Sequence, residues 1–221
     1  MNAEKIENRI AILVYLPSDI SSAIIDAKEE INISYPNHET QTPHITLYSC
    51  KFSESKFLTL VEEIKNLQLQ PFTLKLDKMT VVENVKVPTR LFTSIGFQDE
   101  SPLRELHEKV WPVANRLRGD LVREKDIERF KAGIYTQEKF SHIEKYGYEY
   151  VGKTFEPHIT LGEVEKGDSK KLEQLESLIN PLSGKEFVVD RISVLLSTRL
   201  IPSEEKVKES EVIEIKLGVN N

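Results

Sequence analysis

Two histidines and two threonines stand in a repeated pentapeptide, Pro-His-Ile-Thr-Leu, at residues 43–47 and 157–161. An imidazole has an ordinary pKa of about 6.5, so near neutral pH one ring can take a proton while another gives one. A threonine hydroxyl can donate a hydrogen bond to a non-bridging phosphate oxygen, where charge must be held in the transition state. The candidate catalytic residues His44, Thr46, His158 and Thr160 therefore suit acid–base cleavage of a phosphodiester, and this scheme requires no metal.

Each pentapeptide predicts a β-strand that would position these side chains. Isoleucine, threonine and leucine favour a pleated, half-buried surface, and proline is tolerated at the first residue of a strand. Side chains alternate between the faces of a strand, so the histidine and threonine of each copy point one way and the apolar residues the other. A single His-x-Thr is usually only strand composition. Here the polar positions are repeated as well as the apolar ones, and two such strands facing each other would bring all four groups to one cleft.

The composition limits the class of protein. The chain has 221 residues, 39% hydrophobic and 30% charged, which is typical of a soluble globular protein. Its apolar runs are too short to span a bilayer, and its charged first residues do not resemble a signal peptide. A single cysteine fits a reducing compartment, so we expect a cytoplasmic protein without a membrane partner.

The net charge also limits the partners. A net charge of −6 counts against tight binding of long duplex nucleic acid, where many phosphates must be neutralised by Lys and Arg. A small nucleotide or an RNA end is easier to reconcile with this charge, and we expect such a substrate.

The single cysteine, Cys50, follows the first motif closely. Strict alternation along the strand would place it on the His44 face, near the rim of the cleft. A nucleophile there is one interpretation. A small, buried hydrophobic residue is the more common role of such a thiol, and we favour it.

Periodicity predicts the remaining elements. Strands are predicted at 9–16, 72–82, 89–97, 186–197 and 211–217, besides the two motif strands. Helices are predicted at 18–32, after Ser53, at 100–118 and at 169–180. Motif strand, helix and strand pair occur in the same order in both halves, which indicates a pseudo-repeat of an α+β unit. His107 lies beside the apolar stripe of the helix at 100–118, and we assign it no chemistry.

Residues 119–152 form a charged segment without a clean period. It holds a set of tyrosines and basic residues: Tyr135, Tyr146, Tyr148, Tyr150, Arg123, Lys125, Arg129 and Lys131. A long irregular segment is often a functional loop, and tyrosines can stack on a base, so the segment is an insertion or lid candidate. The alternative, which we favour, is that the tyrosines pack on the edge of the domain.

The paired motifs, His44-Ile45-Thr46-Leu47 and His158-Ile159-Thr160-Leu161, resemble the two-histidine (2H) phosphoesterase superfamily, and within it the LigT-like 2′-5′ RNA ligase and cyclic phosphodiesterase group. The resemblance covers most of the chain. It implies an α+β fold of two pseudo-twofold-symmetric lobes, with two antiparallel β-sheets flanked by helices around a central cleft. We therefore expect residues 1–221 to form a single domain of this kind.

The resemblance also implies an activity. It implies a hydrolase that cleaves a nucleotide 2′,3′-cyclic phosphate or a 2′-5′ linkage without a metal or cofactor. In it the two histidines are general acid and base and the two threonines bind the phosphate. It leaves RNA 2′-5′ ligation open, and we expect a monomer. The sequence does not distinguish which histidine is the acid.

Two alternatives stand beside the enzyme. A non-catalytic module could bind a nucleotide or an RNA end in the same cleft, although a pure binder has no need of two titratable groups. A two-histidine metal site is the weaker alternative, because no carboxylate or cysteine stands at ligand spacing to complete its coordination shell.

Overall fold

The structure is a computed structural model that describes residues 5–33, 42–85, 87–201 and 205–218, with the backbone alone at 205–210. The strands in these ranges are β1 (Lys5–Tyr15), β2 (His44–Lys51), β3 (Phe72–Glu83), β4 (Arg90–Phe97), β5 (Ile159–Glu165), β6 (Glu186–Val189), β7 (Arg191–Ile201) and β8 (Glu205–Lys216). The α-helices are α1 (Ser18–Glu30), α2 (Phe57–Lys65), α3 (Ser101–Arg118), α4 (Glu124–Lys131), α5 (Gln137–Tyr146) and α6 (Ser169–Ile179).

The strands pair in an eight-stranded sheet of order β6-β3-β4-β5-β2-β1-β7-β8, and every recorded pairing is antiparallel. The two motif strands, β2 and β5, lie side by side at its centre. We call β2-β1-β7-β8 the first half-sheet and β5-β4-β3-β6 the second. The predicted α+β fold is confirmed. Each half-sheet runs outward from one motif strand, but the strand pair that follows the first motif in the chain, β3 and β4, belongs to the half-sheet of the second motif.

The half-sheets meet along a short seam. The recorded register between β2 and β5 is one pair, Ile45 opposite Ile159. The resemblance implies two sheets, and the structure shows that these two sets of strands are joined edge to edge at this pair. The join brings the two motifs into contact.

A shared apolar core lies beneath both half-sheets. The helix α3 shows why its sequence is helical: Leu103, Leu106, Val110 and Ala114 recur at helical spacing and are all buried. The chain leaves this helix at Gly119, whose φ of 66° lies in the left-handed region that favours glycine. In the core, α1 packs against α6, and α3 packs against α2 and β2.

Two strand predictions differ from the structure. The strand β1 begins at Lys5 and not at residue 9. The apolar pattern did not predict this start because Glu7 and Arg9, which form a buried ion pair within the strand, are charged residues. The predicted strand at 186–197 is broken at Asp190. There the chain crosses between half-sheets, since β6 pairs with β3 while β7 pairs with β1 and β8.

The segment 119–152 contains two helices that periodicity missed, α4 and α5. Each has 10 residues or fewer, too short to show a stripe. The ends of α5 did carry a local signal: the Thr136 hydroxyl accepts a hydrogen bond from the Lys139 amide, and Gly147 closes the helix in the left-handed conformation.

Candidate active site

The seam places both His-Thr pairs on one face of the sheet. Ile45 and Ile159 are fully buried on the core side. Because side chains alternate along each strand, the neighbouring polar residues point to the opposite face, and all are half-buried. These residues are His44, Thr46, His158 and Thr160. Two imidazoles and two hydroxyls therefore share one face at the centre of the sheet.

The repeated motif also carries a repeated backbone irregularity. The register between β1 and β2 skips Leu47 directly after Thr46, and the register between β4 and β5 skips Leu161 directly after Thr160. A β-bulge bends a strand and increases its twist. Both skipped leucines are fully buried. The two copies thus share a local shape as well as a sequence, and that shape begins where each His-Thr pair ends.

The first bulge corrects the prediction for Cys50. Strict alternation placed the thiol on the His44 face, but the extra residue at Leu47 inverts the alternation beyond it. Cys50 consequently pairs with Ile10 and is fully buried in the core. Burial raises the pKa of the thiol to about 12. The interpretation as a buried hydrophobic residue is confirmed, and a protonated, inaccessible thiol is unsuited to attack a substrate.

Each motif histidine is oriented by the backbone just before it. The Nδ1 atom of His44 lies 3.0 Å from the Thr42 carbonyl oxygen, and that of His158 lies 2.8 Å from the Glu156 carbonyl oxygen. A carbonyl can only accept, so Nδ1–H donates in both rings. In the neutral rings this fixes the tautomer and leaves Nε2 as the nitrogen that can exchange a proton with a substrate.

An aromatic ring packs against each histidine. Tyr15 lies opposite His44 in the β1–β2 register, and their ring centroids are 6.2 Å apart in an edge-to-face arrangement. Phe92 of β4 meets His158 in the same way at 5.6 Å. Both aromatic residues are half-buried. The sequence alone does not identify Tyr15 and Phe92 as neighbours of the histidines, because the register that brings them there depends on tertiary pairing.

The electrostatic surroundings of His44 favour its neutral form. Burial lowers the pKa of His44, and the positive charges of His158 and Lys28 lower it further, against the bond to the Thr42 carbonyl, which raises it. The two imidazoles are therefore close enough to interact. Lys28 lies on α1 and is 6% exposed, and burial lowers the pKa of its ammonium group to about 7.

His107, to which the sequence assigned no chemistry, differs from the motif histidines in being packed inside the protein. It is 1% exposed, and its ring stacks on Phe155 at 3.9 Å. Its Nδ1–H donates to the Leu47 carbonyl at 2.8 Å, while Nε2 accepts from the Gly152 amide at 3.0 Å. Both ring nitrogens are thus used inside the protein, where they tie α3 to the first bulge.

Several groups of the segment 119–152 are bonded within the protein. The Arg123 guanidinium donates to the buried Asp126 carboxylate at 2.6 Å. The Tyr135 hydroxyl bonds both Asp126 and Arg129, and Tyr135 is 3% exposed. Tyr148 is half-buried, with the Arg123 guanidinium 5.4 Å above its ring. These contacts favour the packing alternative for this part of the segment.

Two properties of the described ranges bear on the alternatives. Among these residues, no group of three or more His, Cys, Asp and Glu side chains is arranged to hold a metal ion. Within the same ranges, no helix combines the length and the apolar character needed to cross a membrane.

Comparison with known proteins adds a family and a fold. Residues 17–199 match the sequence profile of the 2′-5′ RNA ligase superfamily. Comparison with curated protein sequences finds no match.

Among solved structures, E. coli LigT in apo form is 16% identical, at a TM-score of 0.52, with 96% of this chain and 99% of that chain covered. E. coli LigT complexed with 3′-AMP is 16% identical over the same shares, at 0.54. The protein TT0787 of Thermus thermophilus is 17% identical, at 0.53, with 95% and 98% covered. At these low sequence identities, the structural similarity shows that this chain shares their fold.

Proposed function

The chain belongs to the 2′-5′ RNA ligase superfamily, a group of two-histidine phosphoesterases, as its motifs predict, and we propose that it is a metal-independent phosphodiesterase. Its substrate is a nucleotide 2′,3′-cyclic phosphate or a 2′-5′ linkage. The observation that carries the proposal is the seam at Ile45 and Ile159, which turns both His-Thr pairs to one face of the sheet.

The proposed roles follow from the surroundings of His44. His44, whose pKa is lowered, is neutral near pH 7 and takes a proton from the attacking water. His158 in its protonated form gives a proton to the leaving ribose oxygen. The water oxygen bonds to phosphorus as the bond from phosphorus to that ribose oxygen breaks, and the product is a phosphomonoester.

The threonines hold the phosphate during this exchange. The hydroxyls of Thr46 and Thr160 donate to its non-bridging oxygens, where negative charge increases in the transition state. One threonine stands on each motif strand, so the phosphate is held from both sides of the seam. E. coli LigT has been crystallised with 3′-AMP and with phosphate, and ligands of this size support a small nucleotide substrate for the present chain.

A substrate screen tests the proposal. The purified protein is incubated with 2′,3′-cyclic nucleotides, 2′-5′ oligoadenylate and RNA with a cyclic phosphate end, with and without EDTA. We expect turnover that the chelator does not abolish, with the position of the product phosphate assigned by phosphorus NMR. Binding without turnover would favour the non-catalytic module. Activity that appears only with added divalent metal would favour a metal site.

A further inference from the structure

The strands beside the two motifs differ at matched positions. Val14 of β1 pairs with Ile45, and Ile95 of β4 pairs with Ile159. The next residue of β1 is Tyr15, which packs against His44. The next residue of β4 is Gly96.

The Gly96 position beside His158 is open. A Cβ atom built at Gly96 meets no heavy atom of the described residues within 4 Å, its two chain neighbours aside. No left-handed backbone requires a glycine there, because Gly96 has no positive φ. The position next to His44 is therefore filled by a tyrosine side chain. The equivalent position next to His158 carries no side chain and is open.

The next position on the same face of the sheet differs in polarity between the two half-sheets. Thr46 pairs with Leu13, whereas Thr160 pairs with Ser94. The Ser94 hydroxyl lies 2.8 Å from the Thr80 hydroxyl of the neighbouring strand β3. The second half-sheet thus presents a pair of hydroxyls beside its motif, where the first presents a leucine.

The third position differs in size. Ala11 of β1 pairs with Ser49, and Phe92 of β4 pairs with Glu163, three residues beyond the threonine in each motif strand. The second half-sheet therefore offers an open space, a hydroxyl pair and a half-buried aromatic ring in succession. The first half-sheet offers a tyrosine, a leucine and an alanine.

We infer that Gly96, Phe92 and the Ser94–Thr80 hydroxyl pair form a nucleoside subsite on the His158 side of the phosphate, while the His44 side admits water. The base stacks on Phe92, the sugar lies against the hydroxyl pair, and Gly96 leaves the room that the nucleoside needs. The inference rests on the proposed function. It names the substrate class as a phosphodiester with one nucleoside on the leaving side, such as a nucleoside 2′,3′-cyclic phosphate.

The subsite is tested by filling it and by removing its ring. Gly96→Val fills the open position, and Phe92→Leu removes the aromatic stacking surface while keeping an apolar side chain against His158. Two substrates are compared: 2′,3′-cyclic AMP, and ethylene phosphate, a small cyclic diester that has no nucleoside but whose leaving alkoxide also needs a proton. Each variant should lower kcat/KM on cyclic AMP roughly tenfold or more, a loss of the size that one stacked base contributes. On ethylene phosphate the change should stay within about twofold, since only the binding of the nucleoside is lost. An equal loss on both substrates would show that the variants act through His158 and would overturn the subsite.

The first half-sheet supplies the matched control. Ala11→Val adds the same kind of bulk at the position equivalent to Phe92, and it should leave the ratio of the two kcat/KM values unchanged. Thermal unfolding verifies that each variant is folded, and Gly96→Ala serves as a milder filling.

The outcomes separate the two claims. A wild-type protein that hydrolyses neither substrate overturns the proposed function, and the subsite falls with it. A wild-type protein that hydrolyses both, with folded Gly96→Val and Phe92→Leu variants that keep its substrate ratio, overturns the subsite alone. An equal change of ratio in Ala11→Val would also overturn it, because the nucleoside would not be confined to the second half-sheet.

Discussion

The two motif strands agree in detail, while the strands beside them differ. Both motifs bulge at the leucine, and both histidines donate Nδ1–H to a carbonyl two residues earlier in the chain. In the strands beside them, β1 and β4, the equivalent positions hold different residues: Tyr15 of β1 is equivalent to Gly96 of β4, and Leu13 to Ser94. In the proposed function the symmetric part binds the phosphate, which is itself nearly symmetric. The asymmetric part would contact the groups on either side of the phosphate, which differ from each other in a substrate.

The first half-sheet also has surroundings that bear on its histidine. Burial lowers the pKa of His44, and the positive charges of His158 and Lys28 lower it further. The segment 119–152 attaches to the same half-sheet, where the Glu124 amide at the start of α4 donates to the Glu7 carboxylate of β1 at 2.9 Å. These features agree with the proposed role of His44 as a neutral base.

The largest expected effect comes from removing the histidines. His44→Ala and His158→Ala should each lower kcat/KM on 2′,3′-cyclic AMP by about 10²–10⁴-fold, since each loses a positioned base or acid. The activities of the two variants should differ on methyl 4-nitrophenyl phosphate, because its nitrophenolate leaving group departs without needing a proton. On that substrate His158→Ala should regain much of the activity, and His44→Ala should not.

His107→Gln is the matched control for the histidine variants, because His107 bonds only protein groups in its recorded contacts. Its activity per folded molecule should be retained. The opposite pattern of recovery would exchange the roles of acid and base. A near-native rate in either alanine variant would contradict the site.

A large effect on stability is expected within the segment 119–152. Asp126→Asn removes the carboxylate partner of the buried Arg123 guanidinium and leaves that charge unpaired. Breaking a buried pair in this way costs about 3 kcal/mol or more of the free energy of unfolding, measured by urea denaturation. The ranking of substrates should not change if the segment is packing. A changed ranking at native stability would instead support the lid.

The threonines should show a smaller effect, and a similar one in both halves. Thr46→Val and Thr160→Val each remove one hydroxyl donor to a charged phosphate, which corresponds to a loss of roughly 10- to 100-fold in kcat. Thr→Ser at either position keeps the hydroxyl and serves as the control. If one valine variant lost far more than the other, the phosphate would be held mainly from one half-sheet and the symmetry of the motifs would be misleading.

The smallest effect is a shift in pH dependence. The profile of kcat/KM should be bell-shaped, because one imidazole must be neutral and the other protonated. A lowered pKa keeps His44 neutral to lower pH, so the rising limb should lie below the ordinary imidazole value of about 6.5.

Lys28→Met removes one of the positive charges that lower this pKa and should move the rising limb to higher pH by a fraction of a unit. A limb that stays in place would show that the ammonium group does not act on His44. A rate that rises monotonically to high pH would contradict the two-imidazole scheme.

Much of the fold was accessible from local sequence, because local preferences govern it. The motif strands and the helix α3 follow from alternation and from helical spacing of apolar residues, which the chain must bury. The site residues were accessible for a related reason: a repeated polar pattern has no explanation in core packing. Local patterns did not predict elements that are short, such as α4 and α5, or that contain an unusual residue pair, such as the start of β1 with its buried ion pair.

The sequence by itself determined the family, the α+β class and the four candidate catalytic residues, since these depend on residue types at fixed spacing along one strand. Only the tertiary structure decided the rest. The bulge at Leu47 turned Cys50 into the core, and pairing between distant strands set Tyr15 and Gly96 at equivalent positions. Register is fixed by burial of whole faces and not by neighbouring residues. The difference between the two half-sheets beside the motifs therefore arises only when the strands pair.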